Sequence, residues 1–108
     1  MNISKITDNY AVSPQILPDD VAVLAEQGFV AIICNRPDNE DPGQATAAEI
    51  SAACAAAGLS FHHIPVSGMP VASELVQEQR RLITDSDGPV LGYCRSGQRS
   101  QFMWVTSA

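Results

Sequence analysis

Two short apolar runs, Val30-Ala31-Ile32-Ile33-Cys34 and Val90-Leu91-Gly92-Tyr93, constrain this chain more than any other feature. Each is continuous rather than alternating, and each is bounded by polar, turn-forming residues. A strand with one face in water alternates apolar with polar. A run that is apolar throughout fits a strand covered on both faces, as in a parallel sheet. Parallel neighbours need long crossovers, usually helical, and the segments between the runs have helical spacing.

Tyr10-Ala11-Val12-Ser13 reads as a further strand, paired with residues near Ile3 to Ile6. Pro18-Asp19-Asp20 opens a helix to about Gln27, because proline and acids suit a first turn and Gly28 suits the end. Residues 35 to 45 carry Pro37, Pro42, Gly43 and a run of polar and acidic residues, so they form a loop. Thr46 and Glu49 make a capping-box pattern, with Ile50, Ala53, Cys54 and Ala57 following at helical spacing up to Gly58. Phe61 to Val66 is a strand, and Ser67 to Pro70 a turn. Ala72, Leu75, Val76, Gln79, Leu82 and Ile83 mark a third helix, stopped by Asp85 to Pro89. A last helix begins near Arg99 and holds Phe102, Trp104 and Val105. The expected fold is therefore α/β, a single domain over residues 1–108 with a mostly parallel central sheet between helices.

The net charge of −6 argues against a nucleic-acid binder, which needs a basic face. No apolar run is long enough to span a membrane, and no signal peptide is visible, so a cytoplasmic protein is expected. Cysteines at 34, 54 and 94 do not suggest a disulfide framework. Nor is there Cys/His spacing for a metal, and nothing calls for a cofactor. His62 and His63 are adjacent, so on a strand they face opposite ways.

The chemistry gathers in Cys94-Arg95-Ser96-Gly97-Gln98-Arg99-Ser100. This loop leaves a buried strand and enters a helix, so its N–H groups can converge on one anion with the helix dipole behind them. Gly97 supplies backbone freedom. Arg99 can act as a two-pronged donor. A cysteine in such a bowl ionises easily and is a ready nucleophile. Cys94 and Arg99 are the candidate catalytic residues. Arg95, Ser96, Gly97, Gln98, Ser100 and Arg36 are the candidate anion-binding residues. Ser100 can donate to the Cys94 sulfur or simply cap the helix, and Arg36 can anchor substrate or pair on the surface. Cys34 and Cys54 read as core, and the two histidines as structural, one of them bonded to a backbone carbonyl. The expected ligand is a small anion.

Cys-x-x-Gly-x-Arg-Ser after an apolar strand is similar to the active loops of cysteine phosphatases and of rhodanese-type sulfurtransferases. Val12-Ser13-Pro14-Gln15, Cys34-Asn35-Arg36-Pro37-Asp38-Asn39-Glu40, His62-His63-Ile64-Pro65-Val66 and Gly92-Tyr93-Cys94-Arg95-Ser96-Gly97 narrow the match. Together, over nearly the whole chain, they resemble the bacterial beta-lactamase-hydrolase-like, phosphatase-like domain family. The resemblance implies a dual-specificity-phosphatase-like three-layer fold. It also implies a possible partner, a metallo-hydrolase domain associated with sulfide handling.

Two departures from the phosphatase pattern stand out. That pattern has five residues between cysteine and arginine; here there are four, Arg95 to Gln98. The general-acid aspartate expected after Ile-Pro-Val is also missing, since Ser67-Gly68 stand there. Asp38 is the first candidate for the acid, with Glu40 and Asp41 beside it; a solvated acidic loop is the plainer reading of all three. The short loop and missing acid favour a sulfurtransferase carrying a persulfide on Cys94. The alternative is a phosphatase working through a phosphocysteine at Cys94, and a third reading is a non-catalytic anion-binding module.

Overall fold

Pro18 to Glu26 form the first helix, α1, with Asp19 and Asp20 in its first turn and Asp20 Oδ2 accepting from the N–H of Leu17 at 2.8 Å. The computed structural model describes all residues 1–108. Helix α2, Ala47–Ala57, opens with the reciprocal cap its sequence promised: Glu49 N–H donates to Thr46 Oγ1 at 3.1 Å, and Thr46 N–H to Glu49 Oε1 at 3.0 Å. It ends where Gly58 turns left-handed at φ 81°. Helices α3, Ser73–Thr84, and α4, Gln98–Val105, complete the set. No helix is long and apolar enough to cross a membrane.

The strands are β1 Ser4–Thr7, β2 Tyr10–Ser13, β3 Ala31–Cys34, β4 Ser60–His63 and β5 Val90–Tyr93. They form one sheet in the order β1-β2-β5-β3-β4, with only the β1–β2 pair antiparallel. The two apolar runs are neighbours: Ile32 pairs with Leu91, and Cys34 with Tyr93. Side chains alternate across β3, as a strand requires. Ile32 and Cys34 join Val21, Leu24, Ile50 and Cys54 of α1 and α2 on one face. Ala31 and Ile33 join Val76, Ile83 and Met103 of α3 and α4 on the other. Both faces of the sheet are thus covered, which is why the strands needed no polar side.

The parallel strands β2, β5, β3 and β4 all end on the same edge, so Ser13, Tyr93, Cys34 and His63 stand side by side there. Ligands of open parallel sheets bind outside such an edge. The expected strand from Phe61 to Val66 is shorter than anticipated, ending at His63. Pro65 has no N–H to give the ladder. Two further bonds still tie the segment down, from Ile64 N–H to the Cys34 carbonyl and from Val66 N–H to the Asn35 carbonyl, both 2.9 Å. The last helix starts one residue earlier than expected, at Gln98.

Candidate active site

Strand β5 is the middle strand of the sheet, so the residue after it, Cys94, emerges at the centre of the binding edge, where it is fully buried. The chain then turns through Gly97 at φ 92° directly into α4. A side chain at Gly97 would be strained by that φ, and its Cβ would also stand 3.3 Å from the carbonyl carbon of Ser13. The turn brings the Gly97 N–H within 3.0 Å of the Cys94 sulfur. Burial alone would raise the thiol pKa. The backbone N–H groups of Ser100, Ser96, Arg99 and Gly97 outweigh it, and the Cys94 pKa is lowered. The other two thiols, buried in the core without such donors, are pushed up, Cys54 to about 11.

Arg99 stands at the mouth of the loop. Its Nη1 and Nη2 each donate at 2.8 Å to Glu40, one to each carboxylate oxygen, and Nη1 also donates to the Val66 carbonyl at 2.8 Å. The Glu40 hydrogen bonds, and to a lesser extent the Cys94 sulfur, raise the Arg99 pKa. In return, Arg99 and then Arg36 hold Glu40 down to about 2. Arg95 reaches outward, with Nε 3.1 Å from Asp41 Oδ2. Ser96 and Gln98 are exposed on the rim, and Gln98 N–H donates to Ser96 Oγ at 3.3 Å.

Beneath the loop lies a buried polar network. Ser100 Oγ donates to Asn35 Oδ1 at 2.9 Å. Asn35 Nδ2 donates to Gln79 Oε1 at 2.7 Å, and Gln79 Nε2 donates back to Asn35 Oδ1 at 3.0 Å. Gln79 Nε2 also reaches Tyr10 Oη at 3.1 Å, and that hydroxyl donates to the Ser100 carbonyl at 2.8 Å. Every member is buried and bonded, so the network ties α4 to β2, β3 and α3.

Three residues for which the sequence left two readings open have defined partners here. Arg36 is paired, though buried rather than on the surface: its side chain is 4% exposed, and its donors go to Glu40, Gln15 and Asp41. Asp38 is not placed as an acid, because its Oδ1 accepts from the N–H of Ala47 at 2.8 Å and caps α2. The Ser100 hydroxyl bonds Asn35 rather than the sulfur. His63 does bond a carbonyl, with Nε2 3.0 Å from the oxygen of Arg36. Only a protonated nitrogen can serve a carbonyl, so Nε2 carries the proton. Sequence reasoning missed the network under the loop. Its one signal was Gln79, a polar residue on an otherwise apolar helical stripe. It also missed that Glu40 and Asp41 pair with both loop arginines. The largest concavity, about 620 Å³, lies at the other end of the strands among Val30, Ser60, His62, Arg81 and Asp87, away from this chemistry.

Known proteins agree with the fold and narrow the family. The chain is 34% identical over 107 residues to a beta-lactamase hydrolase-like protein of Xylella fastidiosa, covering 99% of this chain and 25% of that one. It is 31% identical over 105 residues to the protein of that description from Agrobacterium fabrum, covering 97% of this chain and 24% of that one. The chain thus spans about a quarter of the length of these curated relatives. Among solved structures, a candidate phosphatase of Neisseria meningitidis superposes with a TM-score of 0.86 at 38% identity, over 96% of this chain and 74% of that one. The core catalytic domain of the S. cerevisiae PP-IP phosphatase SIW14, solved with citrate, gives 0.74 at 17% identity, over 95% of this chain and 62% of that one. At that identity the likeness speaks for the fold alone. The architecture is that of the cysteine phosphatases, and these relatives lend the expected sulfur chemistry no support. With the family's model matched over residues 2–108, the chain belongs to the beta-lactamase hydrolase-like protein, phosphatase-like domain family.

Proposed function

We propose that the chain is a cysteine-dependent phosphatase that carries the phosphoryl group on Cys94. The observation that carries this reading is the ring of backbone N–H groups that lowers the Cys94 pKa against the pull of burial. Those donors suit both a thiolate and the oxygens of a phosphoryl group. The thiolate sulfur attacks phosphorus, and the bond from phosphorus to the leaving oxygen breaks. Water then attacks the phosphocysteine, releasing inorganic phosphate and restoring the thiolate. The solved relatives support a phosphorylated substrate, one of them being P. aeruginosa TpbA in complex with phosphotyrosine, at 16% identity and a TM-score of 0.71.

The leaving group follows from the carboxylates. Glu40, held down to about 2, stays ionised at neutral pH and gives no proton. Asp41 pairs with Arg36 and Arg95, and Asp38 caps α2. A positioned general acid is worth about 10²–10⁴-fold, so without one the substrates are those whose leaving group departs unprotonated, such as aryl phosphates and phosphoanhydrides. Turnover of aryl phosphates of graded phenol pKa is the test. The rate should fall steeply as phenol pKa rises, and Cys94→Ser should abolish it. A flat dependence, or activity surviving that substitution, overturns the reading.

A second reading rests on loop length, since the four residues between Cys94 and Arg99 make a smaller cradle than the phosphatase pattern. It is a sulfurtransferase in which the Cys94 thiolate attacks the sulfane sulfur of a donor such as thiosulfate, breaks the donor's S–S bond with release of sulfite, and keeps the sulfur as a persulfide. Intact mass after exposure to thiosulfate separates the two: a gain of one sulfur on Cys94, with no phosphatase turnover, selects it. In the longer relatives this segment is accompanied by other sequence, and a metallo-hydrolase domain remains the proposed partner.

A further inference from the structure

Arg36 follows the end of β3 and is nearly inaccessible, with its side chain 4% exposed. Its three nitrogens reach three acceptors on two segments: Nε to Glu40 Oε1 at 2.8 Å, Nη1 to Gln15 Oε1 at 2.9 Å and Nη2 to Asp41 Oδ2 at 2.7 Å. Each of those carboxylates then holds one arginine of the Cys94 loop, Glu40 taking Arg99 and Asp41 taking Arg95. One buried guanidinium thus stands behind both loop arginines.

The donor count of Arg99 shows what this arrangement does. A guanidinium has five N–H groups. Both on Nη1 are used, by Glu40 and by the Val66 carbonyl, and one on Nη2 is used by Glu40. Nε–H and the second Nη2–H remain. They lie side by side on one edge of the plane, spaced to bind two oxygens of one anion. The Arg99–Glu40 pair is two-pronged but partly exposed, at 26% and 27% for the two side chains, so water competes for the carboxylate and a further hold on it adds to the anchor. Arg36 adds a further bond to the same carboxylate, from a guanidinium that is itself buried, and so restricts its freedom to turn.

Building on the reading of the Cys94 loop as an anion site, we propose that Arg36 is a positioning residue. Acting through Glu40, it aims the free edge of Arg99 at an anion held over Cys94. Arg36 itself touches no substrate. Its partner Glu40 serves neither as acid nor as competitor, but as the clamp that leaves two of five donors available.

Tungstate binding measured by calorimetry is the test, on the wild type, Arg36→Lys, Glu40→Gln and the double variant, with thermal unfolding alongside. Lysine keeps the charge of Arg36 but cannot hold three acceptors in one plane. Each single variant should weaken tungstate binding about tenfold, and the double variant no more than the weaker-binding single, because both break one chain of contacts. Additive losses overturn the inference, and so does tighter binding by Glu40→Gln, which would make Glu40 a competitor for Arg99. Should Arg36→Lys fail to fold, Gln15→Leu removes one Arg36 acceptor without touching Glu40. Binding two- to threefold weaker is then expected, and unchanged binding overturns the inference. A wild type that binds no tungstate removes the anion-site reading and this inference with it. Wild-type binding with additive losses removes the inference alone.

Discussion

The Ser100 hydroxyl donates to Asn35 Oδ1 at 2.9 Å, although it sits in the helix turn that follows the nucleophile loop. It therefore props the loop from below. Ser100→Ala is expected to leave the pH midpoint of Cys94 alkylation in place while lowering stability by about 0.5–1.5 kcal/mol, the worth of one buried hydrogen bond, because Gln79 still donates to Asn35 Oδ1. Asn35→Ala, which strips partners from both Gln79 and Ser100, should cost more. Iodoacetamide rates against pH, with thermal unfolding, check both. A clear rise of the midpoint in Ser100→Ala would place the hydroxyl on the sulfur instead.

Cys94 reactivity should show two opposed signatures. The loop N–H groups lower its pKa, so the alkylation midpoint should fall below that of an ordinary thiol. The residue has no exposed surface, so the plateau rate should be slower than for a free thiolate. Linkage gives the stability effect. The folded pKa lies below the unfolded one, so the native state binds fewer protons between the two. The stabilisation is complete above the unfolded pKa and is lost as pH falls through the folded one. Relative to Cys94→Ser, the wild type should gain stability as pH rises across that window, as paired melting curves would show.

The Glu40 clamp gives an acid-side counterpart. Its carboxyl titrates at about 2 against an ordinary value of 4.5. The clamp's contribution is complete above 4.5 and is lost as pH falls toward 2. The stability difference between wild type and Glu40→Gln should be constant from neutral pH to about 5 and shrink below that. Denaturant midpoints at a series of acidic pH values measure it, and a difference that keeps its size to pH 2 would contradict the pairing.

Gly92 on β5 has no room for a methyl group, because a Cβ there would meet the hydroxyl of Tyr10. That hydroxyl holds the Ser100 carbonyl and accepts from Gln79. Gly92→Ala should destabilise by about 1–3 kcal/mol, the usual cost of overpacking. It should also disturb the loop, one strand residue and a turn away. Guanidinium unfolding and anion binding on the same variant test both; an unaffected stability would show that Tyr10 yields freely.

The order of elements, the parallel pairing and the position of Cys94 at a strand's end were legible in local pattern. Continuous apolar runs report burial on both faces, and caps such as Thr46 and Glu49 act over three residues. The choice of which runs are neighbours was not local. Nothing along the chain says that β5 lies between β2 and β3, yet that places Cys94 at the centre of the edge. The fates of the polar residues were also hidden. Asp38, Glu40 and Asp41 lie within four positions of one another, yet one caps a helix and two clamp arginines. Hydrogen-bond partners 59 and 65 residues apart, as in Arg99 with Glu40 and Ser100 with Asn35, exist only once the sheet has closed. The sequence by itself determined that Cys94 sits in a loop that lowers its pKa, because the backbone donors near it come from its own neighbours. The tertiary structure alone decided which charges hold Arg99, because a side chain's partner is set by which strand ends the fold brings together.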